Sequence, residues 1–194
     1  MREGTFLAEF SRVCHSISGA CALNVETSVG RVFHTGDFKV DYTPVDGQAM
    51  DLTRIAEIGR SGVKLMLGES TNVAKPGTTI SERKVGETLE RIFATHRDKR
   101  IISATFASNV NRLQQIVDIC ESCGRKIVFN GRSMINVSGM ARELGLLRIK
   151  EGSVIEPEEM HKHHYAKQCL ITTGSQGEPM SALTRMAAGE DKIE

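Results

Sequence analysis

Apolar and polar positions alternate at the start of the chain. Residues 5–13 and 20–26 read as strands, and Val32 to His34 as a third, reached through the turn Ser28-Val29-Gly30. From Gln48 to Gly59 the spacing changes. Met50, Leu52, Ile55 and Ile58 follow a helical stripe, with Gly59 or Gly62 as its stop. Val63 to Leu67 is a short apolar strand, and Pro76-Gly77 is the clearest linker signal in the chain.

Beyond that linker the pattern becomes regular. Thr79-Ile80-Ser81-Glu82 can form a capping box for a helix burying Val85, Leu89, Ile92 and Phe93. Arg100 to Phe106 reads as a strand, and Ser108 as the cap of a helix with Val110, Leu113, Val117 and Cys120 inward. Lys126 to Phe129 is the next strand, followed by Asn130-Gly131-Arg132-Ser133 and a helix to Leu144. Residues 145–167 are irregular, with a short acidic helix after Pro157. Cys169 to Thr172 is the last strand, and a helix is expected from Pro179 onward, a first-turn proline. Strands and helices alternating at these lengths predict an α/β fold with a mainly parallel sheet.

Four apolar strands thus end in loops of one character: GEST (Gly68–Thr71), FASN (Phe106–Asn109), NGRS (Asn130–Ser133) and TGSQGEP (Thr173–Pro179). In a parallel sheet such loops gather at one edge, where helix N-termini and free N–H groups favour anions. Any one of them is accounted for by the capping and turn preferences of Ser, Asn and Gly. Four in register favour a groove for phosphate or nucleotide.

Composition changes this picture little. With 40% hydrophobic and 25% charged residues the 194-residue chain is ordinary for a globular protein holding one large domain or parts of two. Its formal charge of +1 supplies no whole-molecule field for nucleic acid, so any RNA affinity must reside in a local groove. No apolar run reaches membrane-spanning length, and no signal-peptide segment opens the chain. Five cysteines without regular spacing point to a reducing cytoplasm rather than a disulfide framework. Cys120-x-x-Cys123 falls at a helix end without a second pair and reads as packing, and His161, His163 and His164 as a solvated face. Arg97 to Arg100 reads as a charge run complementing a helix C-terminus.

Candidate chemistry centres on Val32 to Gly47, where the third strand ends at Thr35-Gly36 and Asp37 follows at once. The order of a lone His15 in VCHSISGA, then TGDFK, then Glu69 in GESTNV resembles the β-CASP branch of the metallo-β-lactamase superfamily. The phrases SERKVG, TFASN, GRSM and TGSQGEPMSALTRMAAG are most similar to bacterial ribonuclease J. That resemblance implies a nuclease with two zinc ions, in which His15 ligates one ion and the Asp37 carboxylate bridges both to polarise water. Glu69 stands where the family holds a downstream histidine that acts as general acid; aspartate is commoner there, and glutamate keeps the charge with one more methylene. His34 is left to packing or to a supporting role. With RNA as the substrate, the groove of polar strand ends is expected to contact it through Ser70, Thr71, Asn72, Ser108, Arg132, Ser133, Ser175 and Gln176, and the resemblance implies a homo-oligomeric enzyme.

The family's HxHxDH and HxSGH segments are not in the sequence. The resemblance therefore places the chain in the interior of a longer nuclease. On that reading residues 1–77 are the C-terminal part of a metallo-β-lactamase αββα domain, and residues 78–194 most of a parallel-sheet β-CASP domain. The function implied is zinc-dependent hydrolysis of RNA phosphodiesters, endonucleolytic, 5′-to-3′ exonucleolytic or both. Its rivals are a catalytically incomplete RNA-binding or scaffolding piece, and a hydrolase of small esters. The insertion with its four polar strand ends argues against the last.

Overall fold

The computed structural model describes residues 2–193. The molecule divides into two compact units, Met1–Arg83 and Lys84–Glu194, so the division falls beyond Pro76-Gly77.

The first unit carries a five-stranded sheet in chain order, β1 (Arg2–Glu3), β2 (Phe6–Arg12), β3 (Cys21–Thr27), β4 (Gly30–His34) and β5 (Leu65–Leu67). β1 to β4 pair antiparallel, through two-residue turns at 4–5 and 28–29 and through the longer segment 13–20 that carries His15. The β3–β4 turn is closed by Thr27, whose hydroxyl donates to Gly30 O at 2.7 Å. Gly30 has φ +133° there, and a Cβ would meet the Lys64 side chain at 2.8 Å. Helix α1 (Leu52–Arg60) crosses from β4 to β5 and makes that pair parallel. Asp51 caps it, accepting from Arg54 N–H at 2.9 Å. Its apolar stripe packs Ile58, with Met50 and Ile55 beside it, on Val13, Ala22 and Phe33, whereas Leu52 in the first turn faces solvent. Glu9 accepts from the Arg54 guanidinium and from Asn24, and these bonds hold its carboxyl below the usual range.

The second unit is a three-stranded parallel sheet of β6 (Ile101–Ala104), β7 (Lys126–Asn130) and β8 (Gln168–Thr172), in the order β6-β8-β7. The parallel sheet expected after the linker is present, and its middle strand is the last in sequence. β8 is buried at every position, as a strand covered on both faces must be. Helices α2 (Glu82–Thr95), α3 (Val110–Ser122), α4 (Arg132–Glu143) and α5 (Ala182–Ala187) complete the fold, with 3-10 turns at Pro157–Lys162 and Tyr165–Lys167. The α3 face predicted from Val110, Leu113, Val117 and Cys120 is fully inward and meets Ile127, Phe129, Cys169 and Ile171.

Several local expectations are corrected. Ile92 on α2 is 41% exposed, because the face packed inward is centred on Phe93 and Gly86. The cap of α3 is Asn109, which accepts from Arg112 N–H at 3.1 Å, and Ser108 lies one residue short of it, exposed. The last helix starts at Ala182 under a Ser181 cap, so Pro179 belongs to the turn before it. Cys120 is buried and its thiol pushed up by hydrogen bonding to Cys169 and by burial, in line with a packing role. Arg125, buried without a carboxylate, donates to the carbonyls of His96, Lys99 and Gln168 and so closes the C-terminal end of α2.

Candidate active site

In the first unit, backbone ties draw three strand-end loops together. The Lys39 N–H donates to Cys14 O at 2.8 Å in an antiparallel bridge, which sets the His15 loop beside the Asp37 loop. Thr35 N–H donates to Leu67 O at 3.0 Å, and Glu69 N–H donates to the Thr35 hydroxyl at 3.1 Å, joining GEST to TGD. Gly36 makes the sharp turn between them at φ +59°, where a Cβ would stand 3.0 Å from Cys21 O. His34 supports that turn from behind, its Nδ1 accepting Gly36 N–H at 3.0 Å.

The loops surround a cleft of about 230 Å³ lined by His15, Asp37, Lys39, Glu69, Thr71 and Glu82, among others. The three residues singled out for catalysis or metal binding, together with Thr71 and Asn72, therefore share one cavity; Ser70 is exposed but does not line it. Asp37 has neither hydrogen bond nor ion pair among the described residues, so its charge is left open to whatever enters. One Glu69 oxygen accepts Thr71 N–H at 2.8 Å, which shapes the STN turn. Lys39 lies beside Asp41 and Glu82 at 3.6 and 3.7 Å. Burial pushes the Asp41 carboxyl up, but Thr43 N–H, the Ser81 hydroxyl, Lys39 and Glu82 N–H outweigh it and hold it below the usual range.

A metal site needs about four ligands per ion. Among the described residues, no group of three or more His, Cys, Asp or Glu is arranged to hold a metal ion. His15 and Asp37 supply two donors, which do not make a metal centre on their own. His161, His163 and His164 form no such group either; His164 instead uses Nδ1 to accept Ala166 N–H in a 3-10 turn.

The remaining candidates belong to the second unit. Arg132 and Ser133 are the first residues of α4, not of the loop before it, and line a cavity of about 380 Å³ with Gly131, Thr173, Met180 and Arg185. Gly131, at φ +100°, leaves this helix start without a side-chain cap. Ser108, Ser175 and Gln176 are exposed on their loops and stand outside that cavity. Thr173 and Arg185 were not anticipated. Thr173 is the first residue of the TGSQGEP loop, whereas Arg185 reaches the site only because α5 folds back on β8. Lys39, Asp41 and Glu82 of the first unit were also missed, although Asp37, Lys39 and Asp41 follow at every second position, the period of an extended segment.

The family model described as "Ribonuclease J, beta-CASP domain" matches residues 98–193. The chain is 44% identical over 191 residues to "Ribonuclease J" of Mycolicibacterium smegmatis, covering 98% of this chain and 34% of that protein. It is 44% identical over 190 residues to "Ribonuclease J" of Corynebacterium glutamicum, covering 98% and 26%, and 42% identical over 189 residues to that of Helicobacter pylori, covering 97% and 27%. It thus spans between about a quarter and a third of the length of these curated relatives. A solved protein of unknown function from Enterococcus faecalis V583 shares the fold, with a TM-score of 0.63 and 16% identity over 91% of this chain and 44% of that one. The chain is thus ribonuclease J-like over nearly its whole length, and residues 98–193 are its β-CASP domain.

Proposed function

We propose that this chain forms part of the catalytic apparatus of an RNA-cleaving hydrolase of the ribonuclease J type, acting on phosphodiester bonds as an endonuclease, a 5′-to-3′ exonuclease or both. The observation that carries the reading is the convergence of His15, Asp37 and Glu69 on one cleft. Asp37 offers a carboxylate free of protein partners, and Glu69 fixes the turn that presents Thr71. The polar starts of the second unit's helices supply donors for phosphate oxygens. All five cysteines are free, in keeping with a reducing compartment such as the cytoplasm. Among the described residues no helix is long and apolar enough to cross a membrane.

Two donors fall short of the roughly four that each zinc ion takes, so the zinc pair implied by the resemblance needs further ligands from outside this sequence. After dialysis the chain by itself is expected to hold less than one equivalent of zinc and to leave labelled RNA intact. Metal analysis with an RNA turnover assay tests this; a tightly held ion together with turnover would overturn it.

Arg132 is the charged residue at the start of α4 and makes no ion pair among the described residues; Glu178, a conceivable partner, instead accepts Gln176 N–H at 3.1 Å. Arg132→Ala is expected to weaken single-stranded RNA binding more than Ser133→Ala, since a charge-assisted phosphate contact is worth roughly twice a neutral one. It should also lower the salt slope of binding by about one counterion. Affinities across a salt series decide the matter, and an unchanged slope with a lowered melting temperature would make Arg132 structural.

A further inference from the structure

We propose that Lys39 is a positioning residue of the candidate centre, tying the loop that carries Asp37 to the head of α2 through Ile80, Asp41 and Glu82. The inference rests on reading the cleft as the hydrolytic centre.

Lys39 is held at both ends. Its backbone N–H donates to Cys14 O at 2.8 Å, which fixes it beside His15. Its ammonium lies 3.3 Å from Ile80 O, 3.6 Å from Asp41 and 3.7 Å from Glu82. Ile80 and Glu82 are remote in sequence from the TGD turn, so this one side chain joins two separate segments. Asp41 completes the tie. Its carboxylate accepts from Glu82 N–H and the Ser81 hydroxyl, so it serves α2 as an anionic cap delivered from another part of the chain. The Ser81 hydroxyl oxygen also lies 3.2 Å from Thr43 O, so the same two segments stay in contact beside the Asp41 bond.

An exposed ion pair between flexible side chains contributes little. This cluster differs because its groups are largely withdrawn from solvent, with side-chain exposures of 19% for Lys39, 5% for Asp41 and 15% for Glu82. Lys39 is also the one lysine or arginine among the described residues lining the cleft, and Asp37 lies two residues from it. Without the ammonium, Asp41 and Glu82 would face each other as like charges at the start of the helix. The loop would then be released from α2, and Asp37 would lose the support that fixes its direction.

The test uses Lys39→Met and Lys39→Arg in a complete ribonuclease J that carries this chain, with folding checked by circular dichroism. Lys39→Met is expected to lower kcat about 10- to 100-fold while KM for RNA stays within about twofold, as a misplaced group rather than lost binding would do. Lys39→Arg should recover most of the rate. Amide hydrogen exchange in Lys39→Met should quicken at residues 37–43 and 81–83 and stay unchanged in the strands of the second unit. Should Lys39→Met fail to fold, Glu82→Gln, which removes one partner and leaves the Asp41 cap, should reproduce the exchange pattern with a smaller fall in kcat. No change in either quantity would overturn the proposal. A wild-type kcat in Lys39→Met beside an inactive Asp37→Asn overturns the positioning role and leaves the hydrolytic reading standing. An active Asp37→Asn removes the reading, and the proposal with it.

Discussion

Asp37→Asn, placed in a complete ribonuclease J that carries this chain, is expected to lower kcat by at least about a hundredfold, the scale on which the loss of one aimed electrostatic group acts. The amide has almost the same shape, and Asp37 makes no internal bond that the change would break. What disappears is a negative charge that the fold leaves unneutralised at the mouth of the cleft. His34→Ala is the matched control. That imidazole is exposed and outside the cleft, and its hydrogen bond among the described residues is the one that Nδ1 accepts from Gly36 N–H at 3.0 Å. Losing it should cost about 1 kcal/mol of stability and change kcat by no more than a few-fold. Steady-state cleavage of 5′-labelled RNA, with circular dichroism to confirm folding, separates the two. Equal losses would show that Asp37 acts through the turn rather than through its charge.

Ile171→Ala is expected to destabilise the second unit by about 3 kcal/mol, because removing a buried branched side chain loses its transfer free energy and leaves a cavity. Ile171 is fully buried on β8, with β6 on one side and β7 on the other, and it packs in the cluster that holds Leu113, Ile127 and Phe129. Few side chains there can shift to fill the space. The calorimetric transition of this unit should move down by roughly 10 °C or more. Ile102 on the outer strand β6 is 46% exposed, and Ile102→Ala should lower stability by no more than about 1 kcal/mol. Similar shifts for both would mean that β8 is not the strand on which the core depends.

These two outcomes rest on different kinds of legibility. The inward face of α3 could be read from Val110, Leu113, Val117 and Cys120, since a helix of fixed pitch turns that spacing into one buried side. β8 was recognisable as a strand from its apolar run, yet nothing in the run said that the last strand would lie between the first two. That order depends on which crossover helices cover which face of the sheet. Caps show the same limit on a smaller scale. Ser108 and Asn109 are adjacent and both good capping residues, and only the position at which α3 starts selects Asn109. Ile92 and Phe93 likewise sit side by side, and the packing of α2 buries one and exposes the other.

At the site, the order of residues along the chain already shows the chemistry on offer: an imidazole at His15, a carboxylate following a strand at Asp37, an acid before the STN turn at Glu69, and hydroxyl-rich strand ends thereafter. Strand periods and turn residues are local, and so these groups were legible without a structure. The fold brings the first three into one cleft, sets two of their loops together through the Cys14–Lys39 bridge, and places Arg185 in one cavity with Arg132. It also decided that Asp41 caps a helix that begins at Glu82. What separates the two is distance along the chain: a backbone pattern reports on neighbours within a turn or two, while these contacts join segments that meet only after the sheet of each unit has formed.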